Sequence, residues 1–130
     1  MHLVKIPAML DPHVHLRGME WSHKGTFASE TAAALAGGYW AVLDMPNTPP
    51  TTTDPVALAH KLAALDAEAV CDWGVYFGAS QIDNTAHYAE VADRVCGLKM
   101  YNNATTGSLL IGDQAAREQH YRAWPRSRVI

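Results

Sequence analysis

Residues 10–18 read L-D-P-H-V-H-L-R-G, with two histidines two positions apart on an apolar background. On an extended strand the side chains at i and i+2 point the same way, so the imidazoles of His13 and His15 converge on one point. Neutral imidazole is the commonest side-chain metal ligand, and a metal ion would explain the convergence. The plainer reading is two histidines satisfied separately by hydrogen bonds. A second unusual residue is Lys99, inside the apolar run G-L-K-M-Y. A lysine there must snorkel, pair with an anion or lose its charge. A neutral buried amine can also add carbon dioxide, and the resulting carbamate can bridge two cations that an H-x-H pair helps to hold.

Such groups need elements that bring them to one place, and the chain alternates between two kinds of segment. Residues 3–16 read as a strand ending near the histidines. Residues 26–36 (T-F-A-S-E-T-A-A-A-L-A) read as an Ala-rich helix stopped by Gly37 and Gly38. Residues 39–45 form a second apolar strand, followed by the loop P-N-T-P-P-T-T-T. Asp54 can cap the next helix with Pro55 at its first position, and that helix runs to about residue 69. A third strand over 71–79, a third helix over 84–94 and a fourth strand over 95–101 follow. A last helix spans 113–124, Pro125 ends it, and residues 128–130 begin a fifth strand.

Strand and helix alternating at this pace predict an α/β fold of right-handed βαβ units around a parallel sheet. The near-continuous apolar strands fit a sheet buried on both faces. No linker, repeat or low-complexity tract interrupts the rhythm, so residues 1–130 read as one unit without a second domain. Open doubly wound sheets and eight-stranded barrels both close such units, and the first β–α turn lacks the G-x-G-x-x-G of dinucleotide binding. In either case chemistry belongs at the C-terminal strand ends. There the sequence places His13, His15 and Arg17, then Asp44 and Asn47, then Ser80 and Gln81, then Lys99 with Asn102, Asn103, Thr105 and Thr106. A metal site at that rim is the expectation. His60, His87 and His120 fall on helices and are expected to be solvated, His23 in the first loop is expected to be structural, and nothing argues for His2.

Bulk properties exclude several classes. Hydrophobic residues make up 48% and charged residues 18%, which is globular rather than disordered composition. A formal charge of −3 gives no basic footprint for nucleic acid or an anionic membrane. No apolar run is long enough for a membrane span, and the opening M-H-L-V-K-I-P lacks the core and cleavage site of a signal peptide. Cys71 and Cys96 are isolated, so packing thiols in a reduced, cytoplasmic chain are expected.

Taken in order, D-P-H-V-H-L-R, T-A-A-A-L-A-G-G, M-P-N-T-P-P and G-L-K-M-Y resemble the amidohydrolase superfamily and, within it, dihydroorotase. F-A-S-E-T-A-A-A-L-A-G-G and F-G-A-S sit where that family has similar text, and the likeness runs from about residue 3 to 130, nearest to the dihydroorotase domain of animal multifunctional pyrimidine-synthesis proteins. The H-x-H pair alone would point only to the superfamily. Arg17 after it and Asn47 in M-P-N-T make the match specific. The resemblance implies a (β/α)₈ barrel with two zinc ions, in which His13 and His15 bind the more buried ion and a carboxylated Lys99 bridges the pair. It implies that Arg17 and Asn47 hold the substrate carboxylate, as a guanidinium fork and a neutral amide suit. A metal-activated water then opens a ring amide, interconverting dihydroorotate and carbamoyl aspartate in pyrimidine biosynthesis.

The chain departs from the family pattern in places. Met19 stands where the family usually has proline, and H-K-G-T-F has glycine and threonine where acidic residues are common. A barrel of this type takes about 250 residues, so about four and a half βα units make only its N-terminal half. The family's remaining histidine ligands and its aspartate general base would follow Ile130. No catalytic base is therefore assigned here, and the chain alone is expected to be a truncated, inactive portion of the enzyme. Exposed edges on strands one and four would favour self-association or a complementing C-terminal half. The alternatives are a hydantoinase or allantoinase, whose substrates lack the free carboxylate, and a non-catalytic structural half-barrel.

Overall fold

A computed structural model describes residues 3–105 and 107–130; His2 and Thr106 lie outside the described residues. Four parallel strands form one curled sheet in the order β1-β2-β3-β4: β1 is Met9–Val14, β2 Tyr39–Asp44, β3 Asp72–Gly78 and β4 Gly97–Lys99. Helices α1 (Phe27–Ala36), α2 (Pro55–Glu68), α3 (Tyr88–Val91) and α4 (Gln114–Ala123) complete the alternation. The sheet is the first half of a (β/α) barrel, as the strand–helix rhythm predicts. No helix among the described residues is long and apolar enough to cross a membrane.

The local devices act as their residue types dictate. Thr26 and Ser29 form a reciprocal capping box on α1. Asp54 Oδ1 accepts the Val56 and Ala57 amides, both at 2.9 Å, and Pro55 opens α2. Asp113 caps α4 through the Ala116 amide at 2.8 Å. The helix-facing residues Val42, Val75, Phe77 and Leu98 are buried with Leu16, Phe27, Leu58, Leu65 and Trp124 in one core.

Several elements are shorter than the sequence implies. Residues 3–8 lie outside the sheet, with Leu3 88% exposed, because β2 begins at Tyr39 and Met9 is already its register partner. The third helix is a single α turn between two 3₁₀ turns. Asn84 does not cap it, because its Oδ1 accepts from the Ser80 amide at 3.3 Å while its amide nitrogen donates to the Thr53 and Gly78 carbonyls at 2.8 and 2.9 Å. Strand β4 keeps only three residues, but the fifth strand is foreshadowed: Val129 bridges Gly97 in parallel, and the Leu98 amide donates to the Val129 carbonyl at 3.0 Å. The outer edge of β4 is therefore partly covered, while β1 is the open edge. Gly97 is required there, since a Cβ would come within 2.8 Å of the Val129 carbonyl oxygen.

Candidate metal centre at the strand ends

Strand β1 does not reach the histidines as a regular ladder. Asp11 pairs with Val42 and Val14 with Asp44, so one extra residue bulges between them. The sequence D-P-H explains the bulge: Pro12 has no amide proton, and the His13 amide donates to Asp11 Oδ1 at 2.9 Å instead of to the ladder. The imidazoles of His13 and His15 still end side by side, with ring centroids 5.5 Å apart and planes at 58°. Two imidazoles binding one tetrahedral zinc at about 2.0–2.1 Å would have centroids about 5 Å apart. The donor pair fits.

Asn47 sets the state of His15. Its Oδ1 lies 2.7 Å from His15 Nδ1, a contact made by the tautomer that carries its proton on Nδ1 and leaves the Nε2 lone pair for a metal. The Asn47 side-chain nitrogen keeps its own donors. His13 titrates below the ordinary histidine value: partial desolvation is the largest cause, followed by the positive charges of Lys99 and His15, against an opposing pull from Asp11. Both influences favour neutral imidazole, the form that ligates. Lys99 is half-buried, and its Nζ sits 4.9 Å from the Tyr101 ring centroid. Among the described residues no cluster of three or more His, Cys, Asp or Glu side chains gathers anywhere, so the imidazole pair is a partial donor set.

Arg17 occupies the left-handed region at φ 63°, followed by Gly18 at 62°. A Cβ at Gly18 would strike the Phe27 ring at 2.7 Å, so the chain passes tightly over α1 before the short turn at Met19–Trp21. The Arg17 guanidinium carbon lies 5.6 Å from the Trp21 ring centroid and Lys24 Nζ 4.3 Å from the same ring. Among the described residues Arg17 forms no ion pair, so its fork is available to an anion.

Other rim residues have scaffold duties. Asp44 is fully buried and lies 2.5 Å from Lys61 Nζ, so it is not a rim group open to ligand. Ser80 is buried, and its carbonyl lies 3.2 Å from His120 Nε2. His120 corrects the expectation of a solvated histidine. It is 3% exposed, with Nδ1 2.5 Å from the Tyr88 hydroxyl, because α4 turns that face onto α3. His60 is exposed as expected, His87 is half-buried and not fully solvated, and His23, read as structural, is exposed. Cys71 and Cys96 are both free and half-buried, and burial pushes both thiols up. The residue the motifs missed is Lys61. Its position between Leu58 and Leu65 on the apolar stripe of α2 was the available signal.

No family model matches the chain. Over 126 residues it is 43% identical to the multifunctional protein CAD of Squalus acanthias, covering 95% of this chain and 6% of that protein. Over 97 residues it is 43% identical to the dihydroorotase of Aeropyrum pernix, covering 74% of this chain and 22% of that enzyme. Among solved structures, the L-hydantoinase (dihydropyrimidinase) of Arthrobacter aurescens superposes with a TM-score of 0.74 at 25% identity, over 81% of this chain and 24% of that one. The inactive dihydroorotase-like domain of the Chaetomium thermophilum CAD-like multifunctional protein shares the fold, with a TM-score of 0.67 at 21% identity over 95% of this chain and 36% of that one.

Parallel half-barrel and strand-end rim together define the class: the chain shares the fold of the L-hydantoinase, a barrel of the amidohydrolase type. Within that class the sequence is dihydroorotase-like, and the chain spans 6% and 22% of the two curated relatives described.

Proposed function

We propose that this chain supplies the first-half rim of a zinc-dependent dihydroorotase, with His13 and His15 as metal ligands, Lys99 as the lysine that becomes carboxylated, and Arg17 and Asn47 as the grip on a substrate carboxylate. The observation that carries the reading is the imidazole pair at 5.5 Å with the His15 ring bonded by Asn47. When bound, the zinc supplies Lewis-acid polarisation of the ring amide carbonyl. The protein's own groups then act by position. Asn47 bonds the His15 ring, partial desolvation favours the neutral form of His13, and the unpaired Arg17 fork binds the carboxylate of dihydroorotate or carbamoyl aspartate. That free fork favours a carboxylate-bearing substrate over a hydantoin.

The half-set of donors implies that turnover requires a complementary half-barrel, which would also cover the open edge of β1. The expected order of events is weak zinc binding by this chain and activity only with the complement. Zinc content after dialysis, with and without added zinc and carbon-13 bicarbonate, tests the reading. Zinc retained by the unmodified chain and lost in His13→Ala, with a carbamate carbon signal that disappears in Lys99→Met, would support it. Zinc retention that is indifferent to His13→Ala would overturn it.

A further inference from the structure

We infer that the buried pair of Asp44 and Lys61 is a positioning unit for His15 and Arg17, an inference that rests on reading those two residues as site groups. Asp44 closes β2, and its Oδ1 accepts the Leu16 amide at 2.8 Å. Leu16 lies between His15 and Arg17 in sequence, and its side chain is in the core. Backbone and side chain of this one residue are thus both fixed, and its neighbours on either side are presented to the rim. The other Asp44 oxygen lies 2.5 Å from Lys61 Nζ, with both side chains 0% exposed. Lys61 also donates to the Met45 carbonyl at 2.8 Å, and the Met45 amide donates to the Val14 carbonyl at 3.0 Å.

A single cation on α2 therefore locks the end of β2, and through Asp44 the end of β1. The lock sits just ahead of the strained part of the loop. Arg17 adopts φ 63°, a conformation that non-glycine residues hold only when their surroundings fix it. Three residues after Asp44, Asn47 reaches the His15 ring, so one short segment grips both the backbone and the imidazole of the H-x-H turn. A buried ion pair is costly to desolvate and is seldom needed for stability alone. Here its hydrogen bonds end at the backbone of the two strand termini that carry the candidate ligands.

The test compares two double variants that each remove the charges together. Asp44→Leu with Lys61→Met keeps apolar volume but removes the acceptor for Leu16. Asp44→Asn with Lys61→Met keeps that acceptor. Amide hydrogen exchange by NMR is expected to speed up at Leu16 by about tenfold or more in the first variant, as loss of one such hydrogen bond implies, with Phe77 and Leu98 unchanged. The His15 ring signals should move as well, and the zinc dissociation constant should rise by about tenfold. The asparagine variant keeps the acceptor for Leu16 but lacks the Lys61 contacts to Asp44 and to the Met45 carbonyl, so it should restore the three readouts only in part; full restoration would overturn the role given to Lys61. Leu16 exchange and His15 signals at unmodified values in a folded leucine variant would overturn the proposal. So would a freed Leu16 with unchanged zinc affinity. If no form of the chain holds zinc but Leu16 and His15 respond as expected, the metal reading fails and the positioning stands. Should neither variant fold, the unmodified chain decides: a Leu16 amide exchanging as fast as that of exposed Lys5 overturns the clamp, and a protected one supports it.

Discussion

The helix side of the sheet and its concave side differ in how far their interactions are completed, and each carries a lysine that shows it. On the helix side Lys61 is enclosed and has both a carboxylate and a carbonyl partner. On the concave side Lys99 is half-buried beside a tyrosine ring, with no carboxylate partner among the described residues. Residues around them follow suit. Val42, Val75, Phe77 and Leu98 are at most 1% exposed, whereas Leu10 on the open strand is 44% exposed and Leu43 and Tyr76 are only half-covered. One face is a finished core. The other is partly exposed, and the candidate ligands lie at its rim.

The sharpest way to break this comparison is to remove the same charge from each face. Lys61→Met strands the Asp44 carboxylate in the core, and breaking a buried pair costs about 3–5 kcal/mol. Lys99→Met loses at most a cation–π contact worth about 0.5–1 kcal/mol. Urea denaturation followed by circular dichroism should therefore show a midpoint collapse for the first and little change for the second. Equal losses would mean that the concave face is as completed as the helix side.

A smaller effect is expected where the sheet passes from its fourth strand toward its fifth. Gly97→Ala pushes a methyl group against the Val129 carbonyl, and backbone cannot yield as a flexible side chain would. A loss of about 1–3 kcal/mol is expected, as for other overpacked sites. Leu98 reports it directly, because its amide donates to Val129. Its hydrogen-exchange protection should drop while that of residues in β2 remains. A uniform drop would place residues 128–130 in the cooperative core and not at its margin.

The strand–helix rhythm, the glycine stop of α1, the cap of α2 and the H-x-H pair were legible because each depends on residues close in sequence. What was not legible depends on partners far apart along the chain. The first strand starts late because of where β2 begins, a fact of register and not of the apolar run at residues 3–8. His120 looks like a surface residue on a polar helix until Tyr88 and Ser80, 32 and 40 residues away, enclose it. Asp44 reads as a rim carboxylate because nothing local reveals that Lys61 neutralises it. M-P-N-T made Asn47 a candidate site residue by resemblance, but its contact with the His15 ring spans 32 residues and was not legible.

Tyr101 offers a comparison by pH. Its hydroxyl is buried without a hydrogen-bond partner among the described residues, and burial, reinforced by the Asp44 charge, pushes it up to about 12 from 10.0. The unfolded chain ionises first, so the stability this group contributes is complete below about pH 10 and is lost as pH rises toward 12. Tyr88 shifts the same way through burial. Tyr101→Phe should be nearly neutral at pH 7, since no hydrogen bond is lost, and should flatten the alkaline limb of stability against pH. A parallel limb in the variant would mean that Tyr101 is already solvated in the folded chain.

The finest test concerns the rim itself. His13 is lowered first by desolvation and then by Lys99, so the Lys99 ammonium must lie near enough to act on the ring. Lys99→Met should raise the His13 midpoint in an NMR titration without restoring it fully, because desolvation and the His15 charge remain. The sign also bears on ligation. A histidine that releases its proton early is neutral at pH 7, and a metal need not displace a proton there. Carboxylation of Lys99 would replace the cation with an anion and raise the His13 midpoint further than the methionine does. Bicarbonate added to the unmodified chain should therefore move His13 in the same direction as the substitution, and should have no effect on His13 in Lys99→Met. A shift that survives the substitution would trace to bicarbonate acting elsewhere. A midpoint unmoved by Lys99→Met would instead separate the lysine from the imidazole pair, leaving the rim with two ligands and no bridge.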